Sequence, residues 1–211
     1  MRKILSMLLT LCLIIGLTAC SGGSSEEAAD TDNRAEATAE EQTEAPESDE
    51  SGSGNETLVV YFSATGNTKG VAEKIASITD ADIYEIKAAQ EYTDADLDWN
   101  DSDSRTTHEQ NDASVRPEIG SDPVSLEGYK TIYIGYPIWW GEEPRIMDTF
   151  VESYDFDGIT MIPFCTSGGS GIGRSGQNLA DNAGSGNWLE GGRLESGISE
   201  EDLSSWIQGL K

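Results

Sequence analysis

The second half of the chain alternates short, continuous apolar runs with segments whose apolar residues recur every three or four positions. Leu58-Val59-Val60-Tyr61-Phe62 is unbroken and rich in β-branched and aromatic residues, the pattern of a strand buried on both faces of a parallel sheet. Residues 83–86 (Ile-Tyr-Glu-Ile), 131–136 and 159–165 predict three more strands, the third closed by Pro137. Between them, Val71, Ala72, Ile75 and Ile78 mark one face of a helix over 67–78. Pro144 opens a second helix to about 154, with Ile146, Met147, Phe150 and Val151 as its inner stripe. A weaker helix is expected over 175–182. A short fifth strand is expected over 188–194, interrupted by Gly191-Gly192. Ser199 begins the last helix with capping-box spacing to Asp202, and Leu203, Trp206, Ile207 and Leu210 form its apolar face. Strands alternating with helices predict an α/β domain with a parallel sheet.

Residues 87–128 break this rhythm, being polar and longer than a plain loop in a compact domain. Thr93-Asp94-Ala95-Asp96 has the spacing to cap a short helix carrying Leu97 and Trp99. The remainder, including Arg105 and the single histidine, His108, carries no pattern that assigns it; a solvated or capping role suits His108 better than catalysis.

Ser63-Ala64-Thr65-Gly66-Asn67-Thr68 joins the first strand to the first helix. Hydroxyls, an amide and a glycine crowd a helix start, where a phosphate meets free backbone N–H groups and the positive end of the helix dipole. The loop has neither the Gly-Lys-Ser/Thr of a Walker A motif nor a GxGxxG. Donors without lysine suit a terminal phosphate monoester held permanently; a ligand-free helix cap is the plainer alternative.

Residues 61–68, Tyr-Phe-Ser-Ala-Thr-Gly-Asn-Thr, resemble the phosphate-binding signature of the flavodoxin family, and the likeness extends to the C-terminus. It implies a three-layer α/β sandwich around a five-stranded parallel sheet of order 2-1-3-4-5, with FMN at the carboxyl ends of the strands. Ser63, Thr65, Gly66, Asn67 and Thr68 would then hold the FMN phosphate. The loop after the third strand carries Pro137, Trp139, Trp140 and Gly141. Adjacent tryptophans are not expected to share one core, so at least one indole is expected at the mouth of the site, where its face can stack on the flavin, with core packing the alternative for either one. The loop after the fourth strand, with Thr166, Ser167, Gly168 and Gly169, would bring backbone N–H groups to the pyrimidine edge. Residues 166–173 lack the aromatic that many flavodoxins place on the outer flavin face, which leaves that face more open. The segment 87–128 falls where the second helix of the fold is expected, beside the site.

Upstream of the domain the composition changes. Arg2 and Lys3 precede an apolar run over 4–17, and Leu17-Thr18-Ala19-Cys20 resembles a lipobox. Residues 1–20 therefore read as a lipoprotein signal, with Cys20 as the lipidated residue; an ordinary export signal cut before Ser21 is the alternative. Residues 21–56 hold twelve acids against one base, Arg34, and no aromatic, Ile, Leu, Val or Met. Such a segment buries too little apolar surface to offset the entropy of ordering, so a tether of about 33 Å or more is expected. Residues 57–211 still carry 27 acids against 10 bases. That balance argues against nucleic acid as a partner. It suits docking on basic patches of redox partner proteins, although a merely soluble acidic surface has the same composition.

Three functions fit: an electron carrier outside the cytoplasmic membrane, an FMN-dependent NAD(P)H:quinone-type oxidoreductase, or a tethered module without redox work. No basic cluster for a nicotinamide dinucleotide stands near the expected site, which favours the carrier. No catalytic or metal-ligating residue is assigned from the sequence.

Overall fold

A computed structural model describes residues 54–210. The expected signal segment over 1–20 with Cys20, and all but the end of the acidic stretch, lie outside the described residues. Strands β1 (Thr57–Phe62), β2 (Asp82–Ile86), β3 (Thr131–Pro137) and β4 (Thr160–Thr166) pair in parallel in the order β2-β1-β3-β4. Two short strands, β5 (Asn187–Trp188) and β6 (Gly192–Arg193), both pair in parallel with β4. Together they form the fifth position of a 2-1-3-4-5 sheet, as the resemblance implies.

The interruption of the fifth strand has a cause in β4. Met161 and Cys165 accept hydrogen bonds from Leu189 and Leu194 through their backbone carbonyls, so alternate residues of β4 face this edge. The residue between them is Pro163, which has no N–H to continue the ladder. Trp188 pairs with Met161 and Arg193 with Cys165, leaving one extra residue on the edge strand, a bulge in the ladder. Gly191, at φ +69°, fills the gap, where a Cβ would fall 1.9 Å from the Pro163 carbonyl oxygen.

Helices α1 (Asn67–Thr79), α2 (Arg105–Asn111), α3 (Arg145–Glu152), α4 (Ser175–Ala183) and α5 (Glu200–Gly209) complete the domain. Alternation along the strands supplies two cores. Leu58, Val60 and Phe62 of β1 and Ile132, Ile134 and Tyr136 of β3 pack with Ile146, Met147 and Phe150 of α3 and Leu179 of α4. Val59, Tyr61 and Tyr133 pack on the other face with Val71, Ala72 and Ile75 of α1 and Leu203 of α5. Ser199 caps α5, its hydroxyl accepting from Asp202 N–H at 3.1 Å.

Helix bounds differ from expectation at α3. Pro144, at ψ 140°, is the N-cap and not the first turn, and the helix stops at Glu152. The larger difference lies in 87–128. Thr93 and Asp96 do cap each other reciprocally, at 2.8 and 3.2 Å, but the helix predicted to carry Leu97 and Trp99 stops as a turn. Asp98 and Asp101 take the N–H groups of Asn100 and Asp103 onto their side chains, each at 2.9 Å, turning the backbone away from a helical path. Ser104 then caps α2, in a stretch whose sequence assigns nothing. The base of the segment is pinched shut by an antiparallel bridge between Ala88 and Ile119. His108 is exposed in the last turn of α2.

At the middle of the sheet Gly135 faces Phe164 across the β3–β4 ladder, and a Cβ there would lie 2.1 Å from the phenyl ring. Gly135→Ala is therefore expected to lower unfolding free energy by about 1–3 kcal/mol. The check is urea denaturation, in which the midpoint falls and the slope holds; an unshifted midpoint contradicts this packing.

Candidate functional site

The carboxyl ends of β1, β3 and β4 meet at one edge of the sheet, and the three loops singled out in the sequence converge there. The first turns tightly because Gly66 adopts φ 84° and its N–H donates to Ser63 Oγ at 3.1 Å. Gly66 offers the helix no side-chain cap, so the first-turn N–H groups of α1 keep the donor capacity that any helix start has. Asn67 Nδ2 donates to Thr65 Oγ1 at 3.1 Å, holding both at the rim. Thr68 behaves differently. Its hydroxyl is buried and shares a 2.8 Å hydrogen bond with Thr166 Oγ1, joining the first loop to the last.

A cleft of about 270 Å³ opens above that link, lined by Thr65, Asn67, Pro137, Ile138, Trp139, Thr166, Ser167, Gly168 and Ser196. Of the residues expected from sequence, Thr65, Asn67, Pro137, Trp139, Thr166, Ser167 and Gly168 thus face one space. Ser63, Gly66, Thr68, Trp140, Gly141 and Gly169 are not among its lining; Ser63, Gly66 and Thr68 instead fix the loops that form it. Sequence reasoning missed Ile138, Ser196 and Arg193. Ile138 N–H continues the β3–β4 ladder to the Thr166 carbonyl at 2.9 Å. Arg193 Nε and Nη2 donate to the hydroxyl and carbonyl of Ser167 at 3.1 and 3.3 Å, bracing the last loop. Their sole sequence signal is position, since each follows or ends a strand on the ligand edge.

The two adjacent tryptophans divide their roles. Trp139 stands edge-on to Phe62 and Tyr92, at ring-centroid distances of 5.7 and 5.3 Å, and is half-buried, packing on the core while also lining the cleft. Trp140 is 48% exposed and sits at φ 51°. Trp139 and Glu142 exchange both backbone hydrogen bonds, at 2.9 and 3.0 Å, across Trp140 and Gly141, whose φ values are 51° and 88°. Those angles belong to a two-residue hairpin of type I′, in which Asn, Asp or Gly normally takes the first position. An indole there is strained by about 1 kcal/mol or more.

The inserted segment braces this hairpin. Gln110 Nε2 of α2 donates to the carbonyls of Trp139 and Glu143, at 3.1 and 3.2 Å, so one amide clamps both arms. Arg105 lies 3.9 Å over the Tyr92 ring, and Glu109 accepts from the Tyr92 hydroxyl at 2.8 Å. Below the hairpin is a buried charged cluster. Arg145 Nη2 reaches Glu142 at 2.7 Å, while its Nη1 lies 3.7 Å from Glu143 and 3.5 Å from Asp148. Asn178 Nδ2 donates to Glu143 at 3.2 Å. Burial pushes the Glu143 carboxyl up to about 7, with Asp148 adding repulsion and Arg145 opposing it. Asp148 is raised by burial as well, against the pull of Asn182, Arg116 and Arg145. Cys165 is buried, and burial pushes its thiol up to about 12, which leaves it unreactive.

The donor set fits a phosphate monoester bearing a flat ring: an uncapped helix start, small hydroxyls, no basic side chain in the lining, an indole wall, and a loop where a Cβ added at Gly168 or Gly169 would meet nothing within 4 Å. A family model described as Flavodoxin matches residues 56–210. Among solved structures, a candidate flavoprotein of Bacteroides uniformis is 48% identical with a TM-score of 0.70, covering 73% of this chain and 98% of its own. One from Bacteroides eggerthii is 44% identical with a TM-score of 0.68, covering 72% and 96%. A flavoprotein of Lactobacillus acidophilus, solved in complex with FMN, is 25% identical with a TM-score of 0.52, covering 72% and 98%. No curated protein matches the chain.

Two outcomes follow from the hairpin and its support. Replacing the strained indole, Trp140→Asn, is expected to raise thermal stability by about 1 kcal/mol; calorimetric unfolding showing no gain contradicts the strain. Glu143 holds its proton more tightly folded than unfolded, so its contribution is full below the ordinary carboxylate range. That contribution is lost as pH rises toward about 7. The stability difference between Glu143→Gln and the parent should therefore grow in the variant's favour from pH 5 to pH 8, and a pH-independent difference would refute it.

Proposed function

Because this chain belongs to the flavodoxin family and its cofactor is FMN, we propose that the domain is an electron carrier held outside the cytoplasmic membrane by a lipid on Cys20. The observation that carries the cofactor assignment to particular residues is the cleft where β1, β3 and β4 end, with the uncapped start of α1 at one side and Trp139 at another. The FMN-bound relative from Lactobacillus acidophilus supports the same ligand.

In this reading the first-turn N–H groups of α1, with Thr65 and Asn67, hold the phosphate through hydrogen bonds and the helix dipole. Trp139 and Pro137 wall the ring on one side. The loop at Ser167 and Gly168 lies at its polar edge, held in shape by the Gly169 N–H donating to Ser167 Oγ at 3.3 Å and by Arg193. Bound FMN supplies one- and two-electron transfer, and the chain tunes it by packing, hydrogen bonding and charge.

Charge sets the direction of that tuning. The folded region carries far more acids than bases. Each carboxylate about 10 Å from the ring, at an effective dielectric of ~40, opposes an added electron by roughly 0.8 kcal/mol, or about 35 mV. Arg193 partly offsets this at the last loop. The same acidic surface favours partner proteins with basic docking patches. The lipobox at 17–20 and the acidic stretch after it carry the anchoring; a helix long and apolar enough to cross a membrane is absent among the described residues.

Adding FMN to the purified protein is expected to give a saturable calorimetric signal and a perturbed flavin absorbance spectrum, and Trp139→Ala should weaken binding about tenfold or more. Redox titration should find the bound flavin harder to reduce than free FMN. Absence of heat with FMN would remove the carrier assignment, and a raised potential would remove the role given to the carboxylates. Labelled fatty acid should enter the parent and not Cys20→Ser.

A further inference from the structure

Helix α2 belongs to the inserted segment, yet it reaches the wall of the FMN cleft by two routes. From the backbone side, Gln110 Nε2 donates to the carbonyls of Trp139 and Glu143, at 3.1 and 3.2 Å. From the ring side, Glu109 accepts from the Tyr92 hydroxyl at 2.8 Å, and Tyr92 stands edge-on to the Trp139 indole with 5.3 Å between centroids. Arg145 ties down the end of the helix, its Nη2 donating to the Gln110 carbonyl at 3.3 Å. Trp139 lines the cleft, so one of its walls is held by a helix that contributes no residue to the lining.

We propose that Gln110 is a positioning residue for FMN, acting through the Trp139–Glu142 hairpin to set the indole wall. The inference rests on the placement of FMN in the cleft, and it adds to that reading the residue that keeps the wall in shape.

Two features separate this amide from a packing residue. Its Oε1 is buried and has no hydrogen-bond partner among the described residues. An apolar side chain of the same size would fill the space without burying an orphaned oxygen, so what the amide alone supplies is its pair of donations. Those donations also fix which way it faces, because a flipped amide would set its oxygen against two carbonyl oxygens. The second feature is the turn it spans. Trp140, at φ 51°, occupies the first position of a type I′ turn, where an indole is strained, so local preference does not hold the hairpin in shape. A support bonded to both arms restrains their separation, and with it the Trp139 ring at the start of the turn. A binding surface keeps its geometry when the groups behind it are locked in this manner.

Gln110→Met keeps the volume and removes both donations. Calorimetric titration of the full-length protein with FMN is expected to show binding about tenfold weaker in this variant than in the parent, with a smaller perturbation of the flavin absorbance spectrum. Thr149→Val is the comparison, since it removes a different bond of the inserted segment, from Thr149 Oγ1 to the Pro117 carbonyl at 3.0 Å, and lies outside the hairpin. It should bind FMN within about twofold of the parent. Urea denaturation checks that each variant folds; if Gln110→Met does not, Gln110→Ala, which admits water to the two carbonyls, takes its place with the same loss expected. The inference is overturned by parental affinity or a parental flavin spectrum in the Gln110 variant. An equal loss in Thr149→Val also overturns it, by making the effect one of general stability. Absence of FMN binding in the parent would remove the cofactor's placement and this inference together, whereas FMN binding that survives loss of the amide removes this inference alone.

Discussion

Val59 and Tyr61 are buried toward α1 and α5, while Leu58, Val60 and Phe62 are buried toward α3 and α4. A strand with both faces buried has one permitted register, because a slip of one residue exchanges its two cores. Everything at the ligand edge inherits its position from that constraint. With β1 fixed between β2 and β3, the turn at Gly66 meets the end of β4, and Thr68 reaches Thr166 across the sheet. The close approach of Phe164 to Gly135 holds β3 and β4 in matching register just below the cleft.

The site combines rigid and strained parts. Trp139 is packed between Phe62 and Tyr92, and its neighbour is forced into a left-handed conformation by the same short hairpin. A turn of this kind persists when its surroundings over-determine it. Here they are Gln110 across both arms and, beneath, Arg145 among Glu142, Glu143 and Asp148. The cluster is a mixed asset: three acids share one fully enclosed guanidinium, and burial leaves Glu143 and Asp148 holding protons more readily than free carboxyls do.

The inserted segment is an accessory to the site. Pinched at Ala88 and Ile119, it sends α2 back against the Trp hairpin and leaves Leu97 and Trp99 at the border of the cleft. Polar composition is what such a segment needs, since its backbone groups are satisfied by Asx and Ser/Thr side chains instead of a ladder. The domain thus presents an acidic exterior around a cleft with no charge in its lining.

The strands were legible in the chain, because continuous apolar runs have few alternatives in a parallel sheet, and so was a break at Gly191-Gly192; that the break answers Pro163 across the ladder emerged only with the sheet. The loop over 63–68, to which the phosphate role is assigned by proposal, was legible too, because its residues are contiguous. Helix α2 was beyond the sequence by itself: a seven-residue polar helix, capped by Ser104, has no apolar period to read. So were the separate roles of Trp139 and Trp140, which are chemically identical and differ only in the φ imposed by the hairpin. Arg193, Ser196 and Gln110 lie far along the chain from the groups they meet, and a contact of that kind exists only once the sheet has set its order. Local chemistry fixed the pieces, and long-range burial decided which of them share a wall.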